Sequence, residues 1–104
     1  MSYILVLSTA SNKEEAKKIA NILVKEKLAA CVNIIDNIFS VYEWKNEICE
    51  DNEVLMIIKT KKDKFENLSK KIKEIHSYEV PEIIALDITE GSKEYLNWID
   101  DILK

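Results

Sequence analysis

One apolar segment is the most informative about the fold of this chain: Glu53-Val54-Leu55-Met56-Ile57-Ile58-Lys59-Thr60. A strand with one face in water alternates apolar and polar residues, because successive side chains point to opposite faces of the sheet. Here five apolar residues follow one another, so this strand is expected to bury both faces. The fold must therefore cover its sheet from two sides.

The neighbouring segments predict three more strands. The four strands are expected at residues 3–7, 30–44, 47–59 and 82–89. Lys45-Asn46 is the expected tip of a long hairpin, because Asn accepts the positive φ of a tight turn. A bulge is expected at Asp36-Asn37 and an irregularity at Asp51-Asn52.

Three helices are predicted between and after the strands. Ser11 and Glu14 have the spacing of a capping box for the first helix, which should end near Lys27. Thr60-x-x-Asp63 opens the second helix, and Gly91-Ser92 opens the third. Their apolar faces follow helical spacing: Ala16, Ile19, Ala20 and Leu23; Phe65, Leu68, Ile72 and Ile75; Tyr95, Leu96, Ile99 and Leu103.

The element order β-α-β-β-α-β-α predicts one α+β domain, residues 1–104, of the ferredoxin-like (split β-α-β) type with an additional C-terminal helix. Right-handed crossovers place the first two helices on one face of the sheet. The second face is also apolar, and the last helix is too short to cover it. We therefore expect a second copy of the chain to do so.

Composition excludes several classes of function. The 104 residues carry a net charge of −4, and all 15 basic residues are lysines. This balance argues against nucleic-acid binding, and a chain with one glycine and no arginine lacks a phosphate-cradling loop and an arginine clamp. Cys31 and Cys49 form no Cys-x-x-Cys pair, which excludes a zinc ribbon or thioredoxin-type site. No membrane segment or signal peptide is recognised, so membrane insertion is not expected and a cytoplasmic location is.

His76 is the only histidine, and two interpretations of it stay open. It is either a metal ligand or proton carrier, or a residue that interacts with the carbonyl groups at the end of its helix. In the segment that follows, Tyr78-Glu79-Val80-Pro81-Glu82, Pro81 is explained as the start of a strand. Glu79 and Glu82 are not explained in this way, which favours a site.

Other candidates also have two interpretations. Lys59 is either a catalytic lysine or part of an ion pair with Glu53 or Glu82. Cys31 and Cys49 are soft ligands or redox thiols if they are exposed. Cys31 is more simply a small core residue, and the acidic neighbours of Cys49 would make that thiol less reactive.

Aromatic residues on the predicted hairpin form a further candidate group. Phe39, Tyr42 and Trp44 are either a ligand platform or, more often for such residues, interface anchors. No catalytic triad can be assembled around a single histidine.

Six motifs in one order are similar to those of a known family: Ser8-Thr9-Ala10, Leu28-Ala29-Ala30-Cys31-Val32-Asn33-Ile34, Tyr42-x-Trp44, Glu53–Thr60, His76-Ser77-Tyr78-Glu79-Val80-Pro81-Glu82-Ile83 and Tyr95-Leu96-x-Trp98. From about Ile4 to Trp98 the chain resembles the CutA divalent-cation tolerance family.

The resemblance implies a ferredoxin-like homotrimer, joined through the long hairpin with Tyr42 and Trp44 at the interface. It implies a non-enzymatic role in the tolerance of copper and other divalent cations. It also implies an inter-subunit cleft, for which the candidate residues are Cys31, Glu53, Lys59, Tyr78, Glu79 and Glu82.

The family's proposed copper ligands are a cysteine at the position of Ser8 and a histidine pair at Ile75 and His76. Only His76 matches, so this copper site is expected to be weak or absent. No cofactor is required, and Cu²⁺ or another divalent cation is the candidate ligand.

A second function stays open beside metal binding. A signalling or structural trimer would bind an anionic small molecule in the cleft or dock a protein partner. Three other functions of this fold class lack their signatures: acylphosphatases need an arginine, copper chaperones need Met-x-Cys-x-x-Cys, and RNA-recognition domains need aromatic residues on the central strands.

Overall fold

The computed structural model describes residues 2–104 and confirms a mixed α+β fold with a four-stranded antiparallel sheet. The strands are β1 (Tyr3–Ala10), β2 (Cys31–Trp44), β3 (Glu47–Lys61) and β4 (Ile84–Ile88). The helices are α1 (Lys13–Lys25), α2 (Phe65–Ile75) and α3 (Lys93–Ile102), with a 3₁₀ turn at Lys62–Lys64. The strand order is β2-β3-β1-β4, and every neighbouring pair is antiparallel.

The main core lies between one face of the sheet and the helices α1 and α2. Alternate residues of β1 and β3 point into it, and so do the apolar faces predicted for the two helices. The fully buried larger side chains of this core are Val6, Met56, Ile58, Ile19, Leu23, Leu68 and Ile72. The predicted placement of both helices on one face is confirmed.

Helix α3 covers only one end of the second face. Ile99 and Leu103 pack with Ala30, and Tyr3 donates a 2.7 Å hydrogen bond from its hydroxyl to Asp100. Elsewhere this face is open within the subunit, since Ile84 and Leu86 are each 52% exposed. The apolar second face predicted from the sequence is therefore present and uncovered.

The hairpin of β2 and β3 gives the molecule its longest dimension, 44 Å. Its tip is the predicted Lys45-Asn46, with φ of 51° and 67°. The predicted bulge is also confirmed, because the register shifts between Ile35 and Ile38 and Asn37 has φ of 67°. The irregularity predicted at Asp51-Asn52 is wrong: both residues pair regularly with β2.

The cap of α1 is shifted by one residue from the prediction. Asn12, not Ser11, accepts a hydrogen bond from the backbone N–H of Glu15 at 2.8 Å. Glu15, not Glu14, reaches back to accept from the backbone N–H of Ser11 at 3.0 Å. The helix ends at Lys25, close to the predicted Lys27, where the chain turns with φ of 61°.

The predicted helix start at Thr60 is wrong. Thr60 is a buried residue of β3, and its hydroxyl donates to the Leu28 carbonyl at 2.7 Å. Because the Thr60 hydroxyl makes this tertiary contact, it does not cap a helix. Helix α2 begins only at Phe65. Strand β4 is shorter than predicted, so Pro81 lies before the strand and does not start it.

Candidate functional site

An open pocket of about 570 Å³ lies beside the projecting half of the hairpin. The hairpin forms one wall, and the segment between α2 and β4 forms the other. The lining residues are Thr9, Ser40, Val41, Tyr42, Trp44, Asp51, Glu53, Tyr78, Glu79, Val80 and Glu82. We call it the acidic pocket.

All the charged side chains that line the acidic pocket are acidic. Four carboxylates line it, those of Asp51, Glu53, Glu79 and Glu82, and no lysine does. Tyrosine, serine and threonine hydroxyls supply the other polar groups of the lining. Such a lining attracts cations and repels anions.

The deepest carboxylate of the pocket belongs to Glu53, which is 9% exposed. It accepts a 2.6 Å hydrogen bond from the hydroxyl of Tyr78. Burial and this bond both raise the pKa of Tyr78 above its ordinary value, because the neighbouring carboxylate disfavours a phenolate. Tyr78 therefore remains a neutral donor to Glu53.

Tyr42 and Asp51 form a second phenol-carboxylate pair nearer the solvent. The hydroxyl of Tyr42 donates to Asp51, and this bond raises the pKa of Tyr42 to about 12. Trp44 lies further along the same wall and is 40% exposed. The two predicted interface anchors thus line the rim of the pocket within one subunit.

His76 lies behind this pocket, and its side chain is completely buried. Its Nε2 is 2.7 Å from the Thr9 carbonyl oxygen, and its Nδ1 accepts a 3.0 Å hydrogen bond from the backbone N–H of Tyr78. Since a carbonyl oxygen only accepts and an N–H only donates, the ring carries its proton on Nε2. Both nitrogens are occupied by the protein in this arrangement.

Glu15 connects α1 to the same segment. It accepts from the backbone N–H and the hydroxyl of Ser11, and from the backbone N–H of Ser77 at 2.8 Å. Burial alone would raise the pKa of Glu15, but these hydrogen bonds outweigh it and lower the pKa to about 2.

Cys31 and Lys59 lie apart from the acidic pocket within the subunit. They are cross-strand partners on β2 and β3, and the Lys59 ammonium donates to Asn33, not to Glu53 or Glu82. Lys59 is six residues from Glu53 along β3, which is about 20 Å. Of the predicted cleft residues, the structure brings together Glu53, Tyr78, Glu79 and Glu82.

Comparison with known proteins decides the family. The family model "CutA1 divalent ion tolerance protein" matches residues 4–102. The chain belongs to this family. The resemblance recognised in the sequence is confirmed.

Curated CutA relatives are similar over most of this chain. The divalent-cation tolerance protein CutA of Thermus thermophilus is 47% identical over 91% of this chain and 92% of its own length. The chloroplastic CutA of Arabidopsis thaliana is 51% identical over 92% of this chain but only 53% of its own length. This chain therefore spans about half of the plant relative.

Solved CutA structures have the same fold. The CutA1 structure from Oryza sativa matches all of this chain and 95% of its own, with a TM-score of 0.97 and 42% identity. The structure of the periplasmic divalent cation tolerance protein CutA from Archaeoglobus fulgidus matches 98% of this chain and 99% of its own, with a TM-score of 0.95 and 41% identity. The family names describe a tolerance protein and not an enzyme.

The described residues of this chain form no preformed metal cage. Among residues 2–104, no three histidine, cysteine, aspartate or glutamate side chains lie close enough together to hold an ion. In the same part of the chain, no helix has the length and apolar character needed to cross a bilayer.

Sequence reasoning missed Asp51, Thr9 and Glu15. The register gives Asp51 as the partner of Ser40, and alternation then puts its side chain on the Tyr42 face, so a correct register could have found it. Thr9 takes part through its carbonyl oxygen, which no sequence signal marks. Glu15 could have been found from the Asn12 cap, which also has capping-box spacing.

Proposed function

We propose that this chain is a non-enzymatic protein of divalent-cation tolerance, which binds a divalent cation weakly in the acidic pocket. The observation that carries the proposal is the lining of that pocket: four carboxylates, several hydroxyls and no lysine. The proposal includes a cytoplasmic location and no required cofactor.

The proposed assembly is a ferredoxin-like homotrimer. The strand order β2-β3-β1-β4 supports the fold assignment. The uncovered apolar second face supports the assembly, and so does the hairpin, where Phe39 and Val41 are exposed beside Ile48, which is 71% exposed. A symmetric oligomer would bury both surfaces.

The proposed cation site is completed at the boundary between subunits. Tyr42 and Trp44, which line the rim of the pocket, are the proposed interface residues, so a neighbouring subunit would close the open side. Among residues 2–104, one subunit alone does not bring three ligands together, which is consistent with weak binding. A neighbour is therefore needed to complete the coordination shell.

The chemistry of the donors favours a hard cation. Carboxylate and hydroxyl oxygens suit Mn²⁺, Ca²⁺ or Mg²⁺, whereas copper prefers imidazole and sulfur. No cysteine or histidine lines the pocket. We therefore expect this pocket to be less selective for Cu²⁺ than a site of histidine and cysteine ligands would be.

The alternative ligand, an anionic small molecule, has less support. It would have to enter a pocket that four carboxylates line, and the lysine predicted for the cleft, Lys59, lies outside the lining. Coulomb repulsion from these carboxylates disfavours such a ligand.

A competition titration tests the proposal. Purified protein is titrated with Mn²⁺ against a chelator of known affinity, and with Cu²⁺ in parallel. We expect about one Mn²⁺ per chain with a Kd between about 1 μM and 1 mM, or about −8 to −4 kcal/mol. Replacing both Glu53 and Glu82 by glutamine should weaken binding at least tenfold.

The matched control replaces Glu43 and Glu50 together by glutamine. Both are exposed carboxylates of the hairpin that do not line the pocket, so this variant removes the same charge from the other face of the hairpin. It should change the Mn²⁺ affinity less than twofold. Equal losses in the control and the pocket variant would mean that binding is only general attraction to an acidic protein, and the proposal would be wrong.

A further inference from the structure

The segment after α2 is fixed by consecutive backbone hydrogen bonds. The N–H groups of His76, Ser77 and Tyr78 donate in turn to the Ile72 carbonyl, the Glu15 carboxylate and His76 Nδ1. Three adjacent donors thus have three different partners. This segment has no regular secondary structure, so these contacts are what define its path.

The imidazole of His76 links that segment to β1. Its Nε2 donates to the Thr9 carbonyl, and its Nδ1 accepts from Tyr78 two residues further along the chain. The ring also packs on Tyr78, with 4.6 Å between the ring centroids. The side chain therefore connects the end of β1 to the backbone and the ring of Tyr78.

Tyr78 in turn reaches the floor of the acidic pocket. Its hydroxyl donates to Glu53 on β3, and the residues that follow it, Glu79 and Glu82, form the opposite wall. A continuous chain of contacts therefore runs from Thr9 through His76 and Tyr78 to Glu53. Tyr78 is thus the contact between the imidazole and the floor of the pocket.

We infer that His76 is a positioning residue for the acidic pocket and not a ligand of the cation. It holds Tyr78 against Glu53 through a ring that donates from Nε2 to Thr9 and accepts at Nδ1 from Tyr78. The inference rests on the proposed function for the role of the pocket. The geometry of the ring can be tested without any cation.

The first test is the ring itself, observed by ¹⁵N NMR. The chain has one histidine, so both ring-nitrogen signals belong to His76, and their couplings to the carbon-bound ring protons distinguish Nδ1 from Nε2. At neutral pH we expect a protonated Nε2 and an unprotonated Nδ1. A protonated Nδ1 would contradict the inference, because the backbone N–H of Tyr78 would then have no acceptor.

Adding Zn²⁺ to the same sample separates a ligand from a positioning residue. Zn²⁺ is diamagnetic and binds imidazole readily, so ligation by His76 would be detected with this ion. We expect both ring-nitrogen resonances to stay where they were while side-chain carboxylate resonances of the pocket shift. Loss of the unprotonated Nδ1 signal with Zn²⁺ would show direct ligation and overturn the inference.

A variant tests the coupling to Tyr78. His76→Gln retains a donor near Nε2 but removes the acceptor at Nδ1. We expect hydrogen exchange of the Tyr78 amide to become at least tenfold faster than in the natural chain. This increase should exceed any increase in the slowest-exchanging amides of α1, which report a change in global stability. Leu103→Ala is the control, because it removes core packing under α3, away from this segment, and should not accelerate Tyr78 selectively.

The cation affinity supplies a second readout. We expect His76→Gln to weaken Mn²⁺ binding about tenfold in the natural chain and less than twofold when Tyr78 is already phenylalanine. Equal losses in both backgrounds would contradict the inference. If the natural chain bound no cation, the proposed function would fail, while the ring state and the Tyr78 exchange rate would still decide the role of His76.

Discussion

Glu15 is the residue whose charge contributes most clearly to the fold. Its pKa is lowered to about 2 from an ordinary 4.5 by hydrogen bonds from Ser11 and Ser77. A lowered pKa means that the folded state favours the carboxylate. The resulting stabilisation is complete above about pH 5 and is lost as the pH falls from there toward 2.

Glu15→Gln should therefore reduce the free energy of unfolding at pH 7 by about 1–3 kcal/mol. It should also flatten the pH dependence of stability between pH 5 and 2. Denaturant unfolding at several pH values measures both effects. Glu14→Gln, an exposed neighbour in the same turn, is the control, and an equal effect there would contradict this account.

Tyr78 is the second residue at this scale, because its hydrogen bond to Glu53 predicts a measurable contribution to the free energy of unfolding. Tyr78→Phe leaves the buried Glu53 without its hydroxyl donor, so we expect denaturant unfolding to show a loss of about 1–2 kcal/mol in the free energy of unfolding. Tyr42→Phe removes the same group from an exposed pair and should cost much less, because water replaces the lost partner. Similar losses for both variants would mean that burial of Glu53 does not matter.

Residue-scale contacts were the least predictable part of the site. His76, Tyr78, Glu79 and Glu82 could be selected because they are adjacent polar residues that the strand pattern does not explain. The partner of His76 is a backbone carbonyl, and any residue at position 9 would supply one. That contact depends on the tertiary fold and leaves no mark in the sequence.

Among the elements, the hairpin tip makes a direct prediction. Lys45 and Asn46 both have positive φ, which costs energy for a lysine and suits Asn or Gly. The double substitution Lys45→Asn with Asn46→Gly should raise the free energy of unfolding by about 0.5–1.5 kcal/mol. Thermal unfolding measures this change, and a lower midpoint would show that the side chains at the tip have another role.

The elements themselves were largely predictable, and the errors have identifiable causes. Periodicity located all three helices and four strands, because an apolar face must be buried wherever it occurs. The Thr60 start was wrong because the side chain of Thr60 has a tertiary acceptor, Leu28, that outcompetes capping. The α1 cap was displaced by one residue because Ser11-Asn12 offers two capping residues in succession, and propensity does not separate them.

At the scale of the whole molecule, the exposed apolar second face predicts self-association. We expect sedimentation equilibrium to give about 36 kDa, three times the 12.1 kDa chain. Leu86→Lys places a charge on this half-exposed face and should shift the protein toward monomer with little loss of subunit structure. Val24→Lys, on α1 and away from the sheet, is the control and should leave the mass unchanged.

A monomeric natural chain, or an effect of Val24→Lys equal to that of Leu86→Lys, would contradict the trimer. The sequence supports the need for a partner, because consecutive apolar residues require two covered faces. It does not show which surface of the partner covers the second face, since that depends on complementarity between folded subunits.

The most direct test of the central claim is to locate the cation itself. Crystals soaked in Mn²⁺ would be measured at a wavelength where manganese scatters anomalously. We predict one anomalous peak per subunit, within about 2.6 Å of carboxylate oxygens of Glu53 or Glu82 and at the boundary with a neighbouring subunit. A peak on the ring of His76, or no peak in the acidic pocket at saturating Mn²⁺, would contradict the account.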